Sequence, residues 1–397
     1  MPLLVPAAGV PPVVTSAGAL AAAVVALSAG TGSVAVDTER ASGYRYWQRA
    51  YLVQLRREGT GTVLIDPIDL DDLSGLGSVL NPLEWVLHAA SQDLPCLAEL
   101  GLRPAAVFDT ELAARLAGLD RVGLAALVEE LLGFQLLKGH GAADWSRRPL
   151  PAEWLTYAAL DVELLLPLRD AIAAELAAQG KSGWAAEEFE AVRTAGPPSP
   201  RADPWRRTSG MHRIQRPREL AAVRELWQAR DQLARQRDIA PGRVLPDAAI
   251  IDAALADPPD ADALLARPVY SGRSQRRHVK TWMGALETAR ALPVSQLPSL
   301  RAQGPNPPPV NRWSDRDPAA AIRLAAARAT LTEIAQQHRL PVQNLLAPDL
   351  IRRLCWEPPE PLDAAAIEQQ LVAGGARRWQ CELTTHPLAT ALKSATE

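Results

Sequence analysis

The stretch Val34-Ala35-Val36-Asp37-Thr38-Glu39 constrains this chain more than any other, because a short apolar run ends there in two acids separated by one residue. In an extended strand, side chains at i and i+2 point to the same face, so Asp37 and Glu39 stand side by side at the strand's end. Two carboxylates that close repel each other unless a proton or a cation neutralises them, and a strand ending in D-x-E therefore fits half of a divalent-metal site. The same pair also fits the solvated start of a loop. The rest of the chain decides between the two.

With 397 residues, 48% of them hydrophobic, the chain can bury two or three ordinary cores. The Ala-rich stretch from Val13 to Leu27 lacks a basic flank, has Thr15 and Ser16 as an N-cap pair and Gly30 past its end, and is shorter than the ~20 residues of a membrane span. It reads as an N-terminal helix, and no membrane association is expected. Cys96, Cys355 and Cys381 are odd in number and scattered, which argues for a reducing compartment, the cytoplasm, and against a disulfide framework or a zinc site. The net charge of -3 conceals an asymmetry: residues 1–194 carry -10, residues 195–317 carry +7 and residues 318–397 are balanced. An acidic module joined to a basic one suggests a metal-binding part beside a polyanion-binding part.

In chain order, Tyr51 to Leu55 and Thr62 to Ile65 read as strands joined by a turn at Gly59 and Gly61, which completes a three-stranded meander with the opening strand. Trp85 to His88 is a further strand, followed by a helix capped by Ser91 that carries Asp93 and Leu94. Val107 to Asp109 is another strand, with helices from Glu111 to Leu116 and from Leu124 to Leu132. Strands first, then strands alternating with helices, predict an α/β domain with a mixed sheet. Trp154 to Leu166 is a strong helix pattern in which Tyr157 and Asp161, four apart, share a face.

Residues 195–212 and 294–318 are Pro-rich and read as linkers. Between them lies an all-helical segment, 213–293, with helices at Arg218 to Arg237, Asp247 to Leu255 and Ser274 to Leu292; Trp227 and Trp282 are expected in its core. An offset of 101 residues aligns Ala234 with Ala335, Ile250 with Ile351 and Pro258 with Pro359, so residues 319–397 read as a second copy of the module. The second copy has lost the positive charge, which suits packing or substrate enclosure.

Taken together, Asp37 and Glu39, His88 to Leu94 with Asp93, and Tyr157 with Asp161 supply four carboxylates on three separate elements of one α/β domain. Such a set can converge on two divalent cations ~4 Å apart, the arrangement that serves in-line phosphodiester displacement, and its oxygen ligands suit Mg²⁺. The order D-x-E, H-x-A-x-x-D-L, F-D-T at Phe108-Asp109-Thr110, W-S-x-R-P-L at Trp145 to Leu150 and Y-A-A-x-D-V from Tyr157 resembles the DEDDy exonuclease family of ribonuclease D type. The two helical segments resemble the HRDC domains that follow the nuclease domain in that family.

The resemblance implies a ribonuclease-H-like α/β exonuclease domain at 1–194, an HRDC domain at 213–293 and an HRDC-like domain at 319–397. It implies a 3'-5' exoribonuclease that trims tRNA precursors and other small structured RNAs, and a monomer is expected. Asp37, Glu39, Asp93 and Asp161 would hold two divalent cations, Mg²⁺ or Mn²⁺, with Asp93 acting through water. Tyr157 would orient the attacking water, while Asp109 and Thr110 brace the turn from sheet to helix.

The chain departs from the family pattern at Arg40, where an aromatic residue is common. Arg40 and Arg45 are thereby placed near the active face as RNA contacts, with His88 and Gln92 beside them. A zinc role for His88 finds no second His or Cys at ligand spacing. Arg273, Arg276, Arg277 and Lys280 interleave with Tyr270 and Trp282 and form a second candidate RNA surface. A DNA exonuclease with the same acids and a non-catalytic nucleic-acid-binding protein are the alternatives.

Overall fold

The computed structural model describes residues 2–136, 139–196, 201–300 and 307–395. Its centre is a mixed sheet of six strands: β1 (Val13–Val14), β2 (Thr31–Arg40), β3 (Ala50–Glu58), β4 (Gly61–Ile65), β5 (Glu84–Leu87) and β6 (Ala106–Asp109). Their order across the sheet is β1-β4-β3-β2-β5-β6. β2, β3 and β4 form an antiparallel meander, whereas β5 and β6 run parallel to β2. The tight β3–β4 connection uses Gly59 at φ +84°, which a glycine adopts without steric cost. β5 and β6 are reached through helical crossovers, and crossovers give parallel pairs.

Strand alternation sorts the side chains onto two faces. Val34, Val36, Val53, Leu55 and Ile65 are buried with the helix Ala17–Ala29 on one face. Ala35 and Phe108 are buried on the other, where the helices Ala152–Glu163 and Leu165–Ala178 pack. Asp37 and Glu39 continue the row begun by Ala35, so they face these helices.

Three local expectations are corrected. Val13 and Val14 open no helix: they pair with Leu64 and Ile65 at the sheet edge, because β-branched residues beside an open strand gain more from pairing than from a helical turn. The helix begins at Ala17, capped by Ser16. Ser91 does not cap the helix Leu94–Glu99; Ala89 sits at φ +61°, and the Asp109 carboxylate takes the Ala89 and Ala90 amides at 3.1 and 2.8 Å. The single helix expected from Trp154 to Leu166 stops at Glu163 and restarts at Leu165, because Pro167 cannot donate to the Glu163 carbonyl but fits the first turn of a new helix.

The two helical modules repeat one plan: their long helices are Pro217–Arg237 and Pro318–Gln337, offset by the spacing seen in the sequence. Trp282 is fully buried in the first module and Trp227 packs against its core. Parts of the Pro-rich stretches join these cores, with Trp205 buried in the first module and Trp313 in the second. Residues 197–200 and 301–306 of the linkers, Asn306 included, lie outside the described residues. Among the described residues no helix is long and apolar enough to cross a membrane.

The second module shares a hydrophobic core with the sheet domain. Trp379 stacks on Trp184 at 4.9 Å with the rings 16° apart, and its Nε1 donates to Glu188 Oε1 at 3.1 Å. Trp379→Ala should therefore destabilise the protein by roughly 3–5 kcal/mol. The check is urea unfolding followed by tryptophan fluorescence; a loss below about 1 kcal/mol would mean that the two cores are not coupled.

Candidate active site

The end of β2 carries the site. The helix Ala152–Glu163 lies across β2, β3 and β4, and one oxygen each from Asp37, Glu39 and Asp161 fall within 4.8 Å of one another. Tyr157, one turn before Asp161, lines the same cleft of about 430 Å³. Asp93 enters from the junction after β5 and lines the cleft without joining that trio. Its Oδ1 accepts the Thr38 hydroxyl at 2.6 Å.

Burial and mutual repulsion disfavour the ionised acids. Burial first, then the Asp93, Asp161 and Glu39 charges, raise Asp37 well above the usual carboxylate range. Burial and the charges of Asp161 and Asp93 push Glu39 up to about 9, against a counter-pull from Arg40. Burial raises Asp161 to about 7 and Asp93 to about 6, the latter despite the Thr38 hydrogen bond and Arg40. The Tyr157 phenol is driven far above its ordinary value by burial and then by the Asp161 and Glu39 charges. It stays protonated at any physiological pH.

Such a cluster must hold protons or a cation. Its all-oxygen donor set fits a hard divalent ion. Beside it in the ladder, Gln54 is fully buried in the β3 position paired with Asp37, and its amide atoms have no hydrogen-bond partner among the described residues.

The remaining candidates divide by location. Arg40 lines the cleft, its Nη2 3.3 Å from Gln92 Oε1 and 4.0 Å from Asp93 Oδ1. Gln92 and His88 line it too. Thr110 gives its hydroxyl proton to the Leu87 carbonyl at 3.1 Å, so His88 Nδ1, 2.9 Å away, is the donor to Thr110 Oγ1 and Nε2 is left as an acceptor. Burial lowers the His88 pKa to about 4, which keeps the ring neutral. Arg45 points elsewhere, its Nε donating to Ser146 Oγ at 2.8 Å. Arg273, Arg276, Arg277 and Lys280 are exposed on the first helical module and line no part of the cleft.

Several residues escaped the sequence reading. Thr38, between the two acids, faces the opposite side of β2 and thereby reaches Asp93; the strand's alternation carried that signal. Gly139 and Gly141 wall the cleft against Tyr157, and a Cβ on Gly141 would stand 3.4 Å from the phenol oxygen. Arg148 of the W-S-x-R-P-L run braces the site from behind. The β2–β3 ladder shifts register between Glu39 and Arg40, and the Tyr51 carbonyl at that irregularity accepts from Arg148 Nη2 at 2.9 Å while Nη2 also reaches Asp66 Oδ1 at 2.8 Å.

A 3'-5' exonuclease family model matches residues 12–177, an HRDC domain model residues 219–286, and a model described as the 3' to 5' exonuclease C-terminal domain residues 306–392. Ribonuclease D of Granulibacter bethesdensis is 31% identical over 82% of this chain and 81% of its own length. The chain belongs to the ribonuclease D family. The ribonuclease D of Escherichia coli strain K12 is 29% identical over 81% of this chain and 84% of its own. A crystal structure of Escherichia coli RNase D, described as an exoribonuclease involved in structured RNA processing, superposes with a TM-score of 0.70 at 26% identity, covering 96% of this chain and 98% of that one. A protein from Bifidobacterium adolescentis superposes with a TM-score of 0.91 at 37% identity over 99% of both chains. As a ribonuclease D family member the chain is a 3'-5' exoribonuclease, a hydrolase of RNA phosphodiesters, and its acidic cluster fits the use of a divalent metal.

Because the metal-free fold favours protonated acids, the folded chain binds more protons than the unfolded chain once pH passes the ordinary carboxylate value of about 4.5. Metal-free protein should lose stability as pH rises from there toward about 9, the value to which Glu39 is pushed. Added Mg²⁺ or Mn²⁺ should raise Tm more above pH 8 than near pH 5. A metal-free Tm that climbs across this range in calorimetry would contradict the assignment.

Proposed function

We propose that this exoribonuclease trims the 3' ends of tRNA precursors and other small structured RNAs, releasing 5'-nucleoside monophosphates with two divalent cations, Mg²⁺ or Mn²⁺. The observation that carries the reading is the convergence of Asp37, Glu39 and Asp161 beside Tyr157 in one cleft. Asp37, Glu39 and Asp161 would hold the cations directly and Asp93 through water. Bound there, the ions supply Lewis acidity to the phosphoryl group and charge compensation for the oxygen that leaves.

The chain's own groups do the positioning. A water oxygen attacks phosphorus, the P–O3' bond breaks, and the 3' oxygen of the shortened RNA takes up a proton. Tyr157 is too weak an acid to act as a base precursor and instead orients the attacking water by a hydrogen bond. Arg40, on the cleft wall, supplies the positive charge that a phosphate meets. His88 is neutral, so it suits a ribose hydroxyl donating to Nε2 better than it suits a phosphate. The 2'-hydroxyl is the group that separates RNA from DNA at such a contact. Away from the cleft, Arg273, Arg276, Arg277 and Lys280 gather the RNA backbone.

The test is mononucleotide release from 3'-labelled tRNA precursor, unstructured RNA and DNA in Mg²⁺ or Mn²⁺. Activity on the RNAs that disappears in Asp37→Ala is the expected result, and preference for DNA would overturn the substrate assignment. Tyr157→Phe should lower kcat by roughly 100-fold with KM within about twofold; equal losses in both would remove its water-orienting role. Replacing Arg276, Arg277 and Lys280 by Ala should flatten the slope of log affinity against log salt by roughly 2, and an unchanged slope would move RNA binding to the cleft.

A further inference from the structure

We infer that the first helical module acts on catalysis through strand β2, by docking on residues 41–49, and that Asp238 and Tyr46 are positioning residues of the active site. This loop continues directly from Glu39 and Arg40. The ladder changes register at that point, and an irregular ladder frees the strand end to bend. The ladder pairs Glu39 with Leu52 and Arg40 with Ala50, and the loop that leaves Arg40 beyond this irregularity takes its course from contacts outside the sheet.

Arg148 braces the β3 side of this irregularity, and the helical module supplies the contacts on the loop itself. Asp238 Oδ1 accepts the Tyr46 and Trp47 amides, each at 3.1 Å. The Ala240 amide donates to the Tyr44 carbonyl at 2.9 Å, and Arg243 Nε donates to the Gly43 carbonyl at 2.7 Å. The Tyr46 hydroxyl donates to the Asp231 carboxylate, whose oxygens lie 3.1 and 3.2 Å away, and its ring packs against the module's core. The Arg243 guanidinium lies 4.0 Å over the Tyr44 ring. Most of these bonds take loop backbone groups, so they select the loop's conformation. Asp238 ends the helix Pro217–Arg237 at φ +47°, a region that a non-glycine residue occupies at a cost and that recurs where geometry serves function.

A module that only tethers RNA would matter little for a substrate too short to reach it. A module that positions β2 matters for every substrate. The full-length protein is assayed on a trinucleotide, which leaves almost no chain for the basic surface to bind. Asp238→Gly keeps the left-handed backbone, which glycine adopts freely, and removes the acceptor for both amides. In this variant hydrogen exchange of residues 41–49 should quicken, and kcat on the trinucleotide should fall at least about tenfold with KM within about threefold. Asp238→Asn, which tolerates that backbone and keeps an acceptor oxygen, should restore most of the rate. Tyr46→Phe, remote from the helix end, should show a smaller loss in the same direction.

Quickened exchange with an unchanged trinucleotide kcat would overturn the inference, and so would unchanged exchange in Asp238→Gly. The inference rests on the exonuclease activity, and release of nucleotide from the trinucleotide by the unsubstituted protein keeps the two failures apart.

Discussion

Four carboxylates facing one cleft repel one another, and most of the site's architecture serves to keep them there. Glu39 is pushed to about 9 and Asp161 to about 7 by burial, and for Glu39 by neighbouring charge as well. That arrangement is unfavourable for an apoprotein at neutral pH, and a cation makes it favourable. The metal-free chain therefore stores, as raised pKa values, a free energy that a divalent ion recovers on binding. Arg40 offsets part of the repulsion from the wall, and the Thr38 hydroxyl, donating to Asp93, favours its ionised form.

Holding the acids takes elements from distant parts of the sequence. β2 delivers Asp37 and Glu39 on one face because strand side chains alternate. The helix Ala152–Glu163 delivers Tyr157 and Asp161 because residues four apart share a helical face. The Asp109 carboxylate caps its own helix and ties down Ala89 and Ala90, which fixes the turn that aims Asp93. Arg148, bound to Asp66 and to the Tyr51 carbonyl, secures the irregular edge of the β2–β3 ladder. The two helical modules divide the remaining work: the second merges with the sheet domain through Trp184 and Trp379, whereas the first grips the loop after β2 with polar contacts.

Asp37 with Glu39 and Tyr157 with Asp161 were legible as pairs because strand and helix periodicities put each pair on one face, whereas joining them to Asp93 rested on the order of motifs in the family that the chain resembles. The repeat of helical segments was legible in the 101-residue offset that aligns Ala234 with Ala335 and Ile250 with Ile351, and the same offset separates the openings of the two long helices at Pro217 and Pro318. Other features depend on contacts that no local pattern encodes. Trp205 and Trp313 sit in stretches whose proline content reads as linker, yet a large apolar ring finds a core when one is adjacent. Val13 and Val14 looked helical beside an Ala-rich run, and the open edge of β4 drew them into the sheet. Arg40 and Arg45 carry the same charge one turn of loop apart, but only Arg40 lines the cleft. The unpartnered burial of Gln54 was invisible because it depends on the strand register opposite Asp37.

The central claim is that protons occupy the acid cluster when the cation does not. Calorimetric titration of Mn²⁺ into the protein near pH 7, repeated in two buffers of different ionisation enthalpy, measures the protons released per ion bound. Net proton release that diminishes as pH is raised toward about 9, the value of Glu39, is the expected result. Binding with no proton release at any pH would mean that the acids are already ionised in the metal-free fold, and would contradict the claim.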